Sequence, residues 1–112
     1  MARLVLKKDD LKPIVTATLT DASGDAIDLS TSTGIKFIMK SPSSSTAKVD
    51  SSAAIITATD GTVSYTWTTG DTDTSGSYQA EFEVNWGSDV YQTYPAEGYM
   101  DIIINPDLGG SV

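Results

Sequence analysis

Apolar and polar residues alternate with a period of two in short runs along most of the chain. The clearest run is Ser77 to Trp86. There Tyr78, Ala80, Phe82, Val84 and Trp86 share one side, and Gln79, Glu81, Glu83 and Asn85 share the other. Such alternation predicts a strand with one side in a core and the other in water. Ile14 to Thr20 reads the same way, with Val15, Ala17 and Leu19 set against Ile14, Thr16 and Thr18. In Ile35 to Lys40, the residues Ile35, Phe37 and Met39 oppose Lys36, Ile38 and Lys40, and Val63, Tyr65 and Trp67 alternate with Ser64, Thr66 and Thr68. Weaker extended pieces fall at Ala26 to Leu29 and within Val49 to Ala58, and a last strand is expected over Tyr99 to Asn105. No window carries the spacing, cap and stop of an amphipathic helix.

Turn residues punctuate these runs about every ten positions. Asp21-Ala22-Ser23-Gly24 offers side chains that bond their own backbone and a glycine free to take positive φ. Asp60-Gly61 reads as a hairpin turn whose two residues both take positive φ. Gly87-Ser88 reads as a two-residue turn, and the parity of the strand that follows depends on its length. A two-residue loop turns Tyr91 and Thr93 inward, whereas one more loop residue turns Val90, Gln92 and Tyr94 inward. Pro95 ends that strand.

Seven to eight short strands in 112 residues predict an all-β single domain, an immunoglobulin-like antiparallel β-sandwich. The sandwich is expected over residues 13–105, preceded by an arm or first strand over 1–12 and followed by a flexible tail over 106–112. Gly76-Ser77-Tyr78 at the head of the longest strand has the form of the tyrosine corner of such folds, which gives Tyr78 a structural role. Trp67 and Trp86 lie on the apolar parity of their strands and are expected in the core.

Composition narrows the chemistry. The chain has no cysteine and no histidine, which removes thiolate and imidazole chemistry and the usual zinc ligands. No cofactor is expected, and no enzymatic activity. The net charge of −8 disfavours nucleic acid as a partner. No apolar run reaches signal-peptide or membrane-span length, so synthesis in the cytoplasm without a signal peptide, and no membrane partner, are expected. All seven basic residues lie in residues 1–48 with five acids, and residues 49–112 hold ten acids. That asymmetry suggests charge-guided contact between copies.

Each candidate site has a plain structural alternative. Asp71, Asp73 and Ser75, followed by Gly76, loosely match the start of a calcium loop, but position 12 is Phe82 rather than a bidentate Glu. Glu81 and Glu83 are paired carboxylates on a wet strand face, with nothing apolar around them to tune an acid. Leu4, Val5 and Leu6 form either a first strand or an arm that adds to a neighbour's sheet edge. Ile38 and Ile103 break the polar parity of their strands and, joined by Ile14, would make an outward patch for a protein partner. Tyr91 and Tyr94, with Tyr99, are candidates for contact with a partner or for stacking on sugar rings.

Two stretches carry a family resemblance. The first is Ala17-Thr18-Leu19-Thr20-Asp21-Ala22-Ser23-Gly24-Asp25-Ala26-Ile27-Asp28-Leu29-Ser30 followed by Ile35-Lys36-Phe37-Ile38-Met39-Lys40-Ser41-Pro42. The second runs through Val63-Ser64-Tyr65-Thr66-Trp67, Gly70-Asp71, Gly76 to Val84, Tyr94-Pro95 and Gly98-Tyr99. Together they resemble the immunoglobulin-like domains of tailed-bacteriophage virion proteins, similar to the N-terminal domain of baseplate upper proteins. The resemblance implies a non-enzymatic virion structural protein of the tail, baseplate or adaptor apparatus. It also implies other virion proteins as partners and homo-oligomer formation in the assembly. A capsid decoration protein, or a carbohydrate-binding module contacting the host surface, is the alternative. Baseplate upper proteins continue into a stalk where this chain stops at Val112, so a small accessory subunit is expected rather than an adhesin. The resemblance transfers no catalytic or ligand-binding residue.

Overall fold

The architecture follows from where the alternating runs can pair. The computed structural model describes residues 3–95, 98–106 and 108. In chain order the strands are β1 (Arg3–Lys7), β2 (Val15–Thr18), β3 (Gly34–Lys40), β4 (Val49–Ser52), β5 (Ala54–Thr57), β6 (Thr62–Tyr65), β7 (Gly76–Asn85), β8 (Tyr91–Tyr94) and β9 (Met100–Asn105). One sheet has the order β1-β9-β7-β3-β4, with β8 also on β7; the other has the order β2-β6-β5. These are the two sheets of an immunoglobulin-like sandwich. Strands β2, β6 and β5 take the places of B, E and D; β3, β7 and the β8/β9 pair take those of C, F and G.

Two details differ from the simplest expectation. The described residues form nine strands rather than seven or eight, because the return from β7 is split. Strand β9 pairs with β7 along Gly76 to Ala80, and β8 pairs with it along Phe82 to Asn85. The sandwich is also not wholly antiparallel, since β1 runs parallel to β9 from Arg3↔Asp101 to Lys7↔Asn105. Parallel neighbours need a long connection, and here the whole domain lies between them. The tail expected over 106–112 falls mostly outside the described residues.

Alternation places the core between the layers. Ile35, Phe37 and Met39 of β3 and Tyr78, Ala80, Phe82 and Val84 of β7 are buried, as are Val63 and Tyr65 of β6 and Ile102 and Ile104 of β9. Rings bridge the two sheets. Phe37 stacks on Tyr65 with centroids 4.7 Å apart and planes 15° apart, and it tilts onto Phe82 at 5.2 Å. Trp67, just past β6, meets Phe37 edge-on at 5.8 Å and Tyr65 edge-on at 5.6 Å. Such offset and edge contacts add about 0.5–1.5 kcal/mol per pair beyond area burial. Two of the buried polar tips are paired, with Trp67 Nε1 donating to Pro13 O at 3.0 Å and Tyr65 Oη donating to Asp71 Oδ2, whereas Tyr94 Oη is buried without a partner.

The turns show which local chemistry the fold uses. Asp21 Oδ1 accepts from the amides of Ser23 and Asp25, and Gly24 takes φ 88°. Between β5 and β6, Ala58–Asp60 makes one 3-10 turn, so Asp60 keeps negative φ and Gly61 alone enters the left-handed region at 67°. The β7–β8 connection has one residue more than a Gly87-Ser88 loop, with Gly87 preceding the two turn residues. Val90 N–H donates to Gly87 O at 2.9 Å, and Ser88 and Asp89, the central pair, have φ of 53° and 63°. This is the mirror-image turn that suits right-twisted strands. It gives Tyr94 the inward parity and Tyr91 the outward one; Val90 and Gln92, which share the parity of Tyr94, are nevertheless exposed, and Thr93 is half-buried. At the head of β7, Tyr78 Oη donates to Thr74 O at 2.7 Å, closing a tyrosine corner.

Two substitutions test this account by urea denaturation. Tyr78→Phe is expected to cost about 1–2 kcal/mol, the cost of leaving a partly buried carbonyl unpaired. A Cβ on Gly61 would lie 2.6 Å from the Ile27 carbonyl oxygen and 2.9 Å from that of Leu19, both backbone atoms. Gly61→Ala is therefore expected to cost about 2 kcal/mol or more, and Gly24→Ala, with open space around it, only about 1 kcal/mol.

Candidate functional site

The two layers present chemically different outer surfaces. On the six-stranded sheet the outward residues of β3, β7, β4 and β9 are mixed in charge. Lys36 pairs across with Glu83, Lys40 lies opposite Gln79, and Ile38 lies between Glu81 and Asp50. Lys36 Nζ approaches Asp50 Oδ1 at 2.6 Å, and that contact holds the ammonium above its ordinary range. Glu81 is half-buried, and burial pushes its carboxyl upward; the Glu83 charge adds to this and Lys40 opposes it.

At the end of this face where β3 begins and β7 ends, a shallow depression of about 270 Å³ opens over Gly34. A Cβ at Gly34 would meet no other atom there. Lys36, Glu83, Asn85, Ser52 and Tyr91 line it. Asn85 Oδ1 accepts from the Gly87 amide at 2.8 Å. Tyr91 is 53% exposed and supplies an aromatic surface beside these polar groups.

The three-stranded sheet differs throughout. Strands β2 (VTAT), β5 (AIIT) and β6 (TVSY) contain no acidic or basic residue. The residues of outward parity are Thr16, Thr18, Ala54, Ile56, Thr62 and Ser64; Ile56 is 59% exposed, whereas Ser64 on the central strand is buried. Charge has instead moved to the ends of the sandwich. The end formed by residues 19–33, 58–61 and 86–90 carries Asp21, Asp25, Asp28, Asp60 and Asp89 and, among the described residues, no Lys or Arg. The opposite end holds Lys7, Lys8, Lys12, Lys40 and Lys48 beside Asp9, Asp10, Asp71 and Asp73. The asymmetry thus runs between the two ends of the sandwich and not between the halves of the sequence.

The candidate residues do not assemble into one site. Asp71 Oδ2 accepts from Tyr65 Oη and from the amide and hydroxyl of Thr68, so this carboxylate closes the β6–β7 loop. Asp73 pairs with Lys48, which holds its carboxyl below the usual range. Ser75 is exposed, and no group of three or more metal-binding side chains occurs among the described residues. Asp71 and Asp73 thus serve two separate polar contacts.

The arm is likewise no free arm. Leu6 is buried in the core, Leu4 packs against it, and β1 is committed to β9; Val5 alone of the three points out. Ile103 lies beside Val5 and Ser77, while Ile38 lies two strands away beside Glu81, and both are half-buried. Ile14 precedes β2 in the other layer, so no joint patch forms. Tyr94 is 3% exposed and faces the core, which leaves Tyr91 and Tyr99 as the exposed tyrosines. Trp67 is buried, and Trp86 is half-buried with Nε1 donating to Gln92 Oε1 at 3.1 Å. The uncharged sheet was legible as Thr-alternating runs without Lys, Arg, Asp or Glu, a signal that searching for reactive groups passes over.

The fold and surfaces place the chain in the class of immunoglobulin-like β-sandwiches. No family model matches it, and no curated protein matches it either. No helix among the described residues is long and apolar enough to cross a membrane.

The position of Glu81 carries a pH prediction. An acid whose folded pKa is raised opposes folding above that pKa, and the penalty fades as protonation sets in below it. Glu81→Gln is expected to raise the melting temperature by about 1–3 °C at pH 7. The gain should shrink toward zero near pH 4, measured by calorimetry across that range.

Proposed function

We propose that this chain is a non-enzymatic structural subunit of a tailed-bacteriophage particle, acting in the tail, baseplate or adaptor apparatus by protein–protein assembly. What carries the reading is an agreement. The residues that resemble phage immunoglobulin-like domains, within Ala17 to Tyr99, supply much of the sandwich core, including the Tyr78 corner and the Phe37–Tyr65–Trp67 cluster. Work by shape and surface needs a rigid frame with differing outer faces, and the mixed-charge and uncharged sheets supply both. The acidic end favours basic partners and repels nucleic acid.

A second reading has one observation in its favour. Tyr91, with Lys36, Glu83 and Asn85 around a depression of about 270 Å³, pairs an aromatic surface with hydrogen-bonding groups, as sugar recognition requires. Loss of glycan-array binding on Tyr91→Ala would favour this module over the assembly role.

Mass spectrometry of gradient-purified particles tests the first reading. The chain is expected to band with particles at a fixed ratio to the major tail or head proteins and to survive a high-salt wash. Abundance in the infected lysate with absence from particles would contradict it.

A further inference from the structure

We infer that the β2 edge of the uncharged sheet is a self-association surface, where a second copy of this chain adds its own β2 antiparallel to form one continuous sheet β5-β6-β2-β2-β6-β5. The inference rests on the assembly reading for its purpose and on the strand register for its geometry. Leu19 N–H donates to Gly61 O at 2.8 Å, continuing the β2–β6 ladder. Hydrogen-bonding groups alternate sides along a strand, so Val15 and Ala17 bond to β6 and Thr16 and Thr18 turn their N–H and C=O groups to the open side. A twofold axis at Ala17 sets Thr16 of one copy opposite Thr18 of the other. The pair then closes four backbone hydrogen bonds, and no second complementary surface is needed.

Other open edges carry features that oppose such pairing. Strand β1 bears Arg3 and Lys7, β4 bears Asp50, β8 ends at Pro95, and β5 has a register shift between Ile55 and Thr57. Strand β2 is regular, uncharged and free of proline. Charge selects the same place: two copies of net charge −8 repel, and the uncharged sheet brings no like charges together. On its outer side Thr16 and Thr18, both exposed, become cross-strand Thr–Thr neighbours, a favourable pair in antiparallel sheets.

A four-residue edge buries far less than the roughly 800 Å² per partner of a stable complex, so the isolated contact is weak and gains strength from repetition in an assembly. Sedimentation equilibrium up to about 1 mM is expected to show a monomer–dimer equilibrium with a dissociation constant on the order of 0.1–1 mM. Hydrogen exchange at the Thr16 and Thr18 amides should slow as concentration rises. Thr18→Pro removes only an outward N–H, and Thr16→Glu adds a charge beside the partner strand. Each is expected to raise the dissociation constant about tenfold or more. Gln79→Glu adds the same charge on the other sheet and should leave it unchanged. A monomer at all concentrations, or a dimer indifferent to both β2 variants, or one equally lost in Gln79→Glu, overturns the inference. A monomer that still bands with particles overturns this contact and leaves the assembly reading standing.

Discussion

The structure depends on one contact between layers, the stack of Phe37 on Tyr65. Phe37 belongs to the six-stranded sheet and Tyr65 to the three-stranded one, so their 4.7 Å separation fixes how the layers meet. Trp67 and Phe82 complete the cluster from either side, and the rings fill a space that smaller side chains would leave as voids. Polar tips at its margin tie the cluster to loops. Tyr65 reaches Asp71, Trp67 reaches Pro13, and Tyr78 reaches Thr74. Burial of the rings and closure of the loops are thus one constraint.

That constraint determines which groups remain outside. With aromatic and aliphatic residues committed to the interior, the outer surfaces inherit whatever occupies the alternate positions. On β3 and β7 these are Lys and Glu, and on β2 and β6 they are Thr and Ser. The candidate surfaces are therefore products of strand parity. Residues that stood out as reactive by type, Asp71 and Asp73, are used as loop fasteners instead.

Much of this was legible in the sequence. Two-residue alternation located β3, β7 and the core side of each, and Gly76-Ser77-Tyr78 marked the corner at the head of β7. The β7–β8 turn length was not legible, because Gly87-Ser88-Asp89 suits a glycine-led two-residue loop as well as the observed turn with Ser88 and Asp89 at positive φ. For the same reason the inward position of Tyr94 stayed open. The parallel pairing of β1 with β9 joins residues about a hundred positions apart, and no local pattern reports it. Leu4 and Leu6 read equally as arm or core until that partner is known. The uncharged sheet was visible residue by residue, but its meaning as a surface needed β2, β5 and β6 to be brought side by side.

The most direct measurement is equilibrium unfolding of Phe37→Ala in urea, followed by tryptophan fluorescence, since Trp67 reports from within the cluster. If the stack couples the two layers, stability falls by about 3–5 kcal/mol relative to the unsubstituted chain, within one cooperative transition. A loss below about 1 kcal/mol, the range of ordinary surface substitutions, would show that the layers are held together by something else.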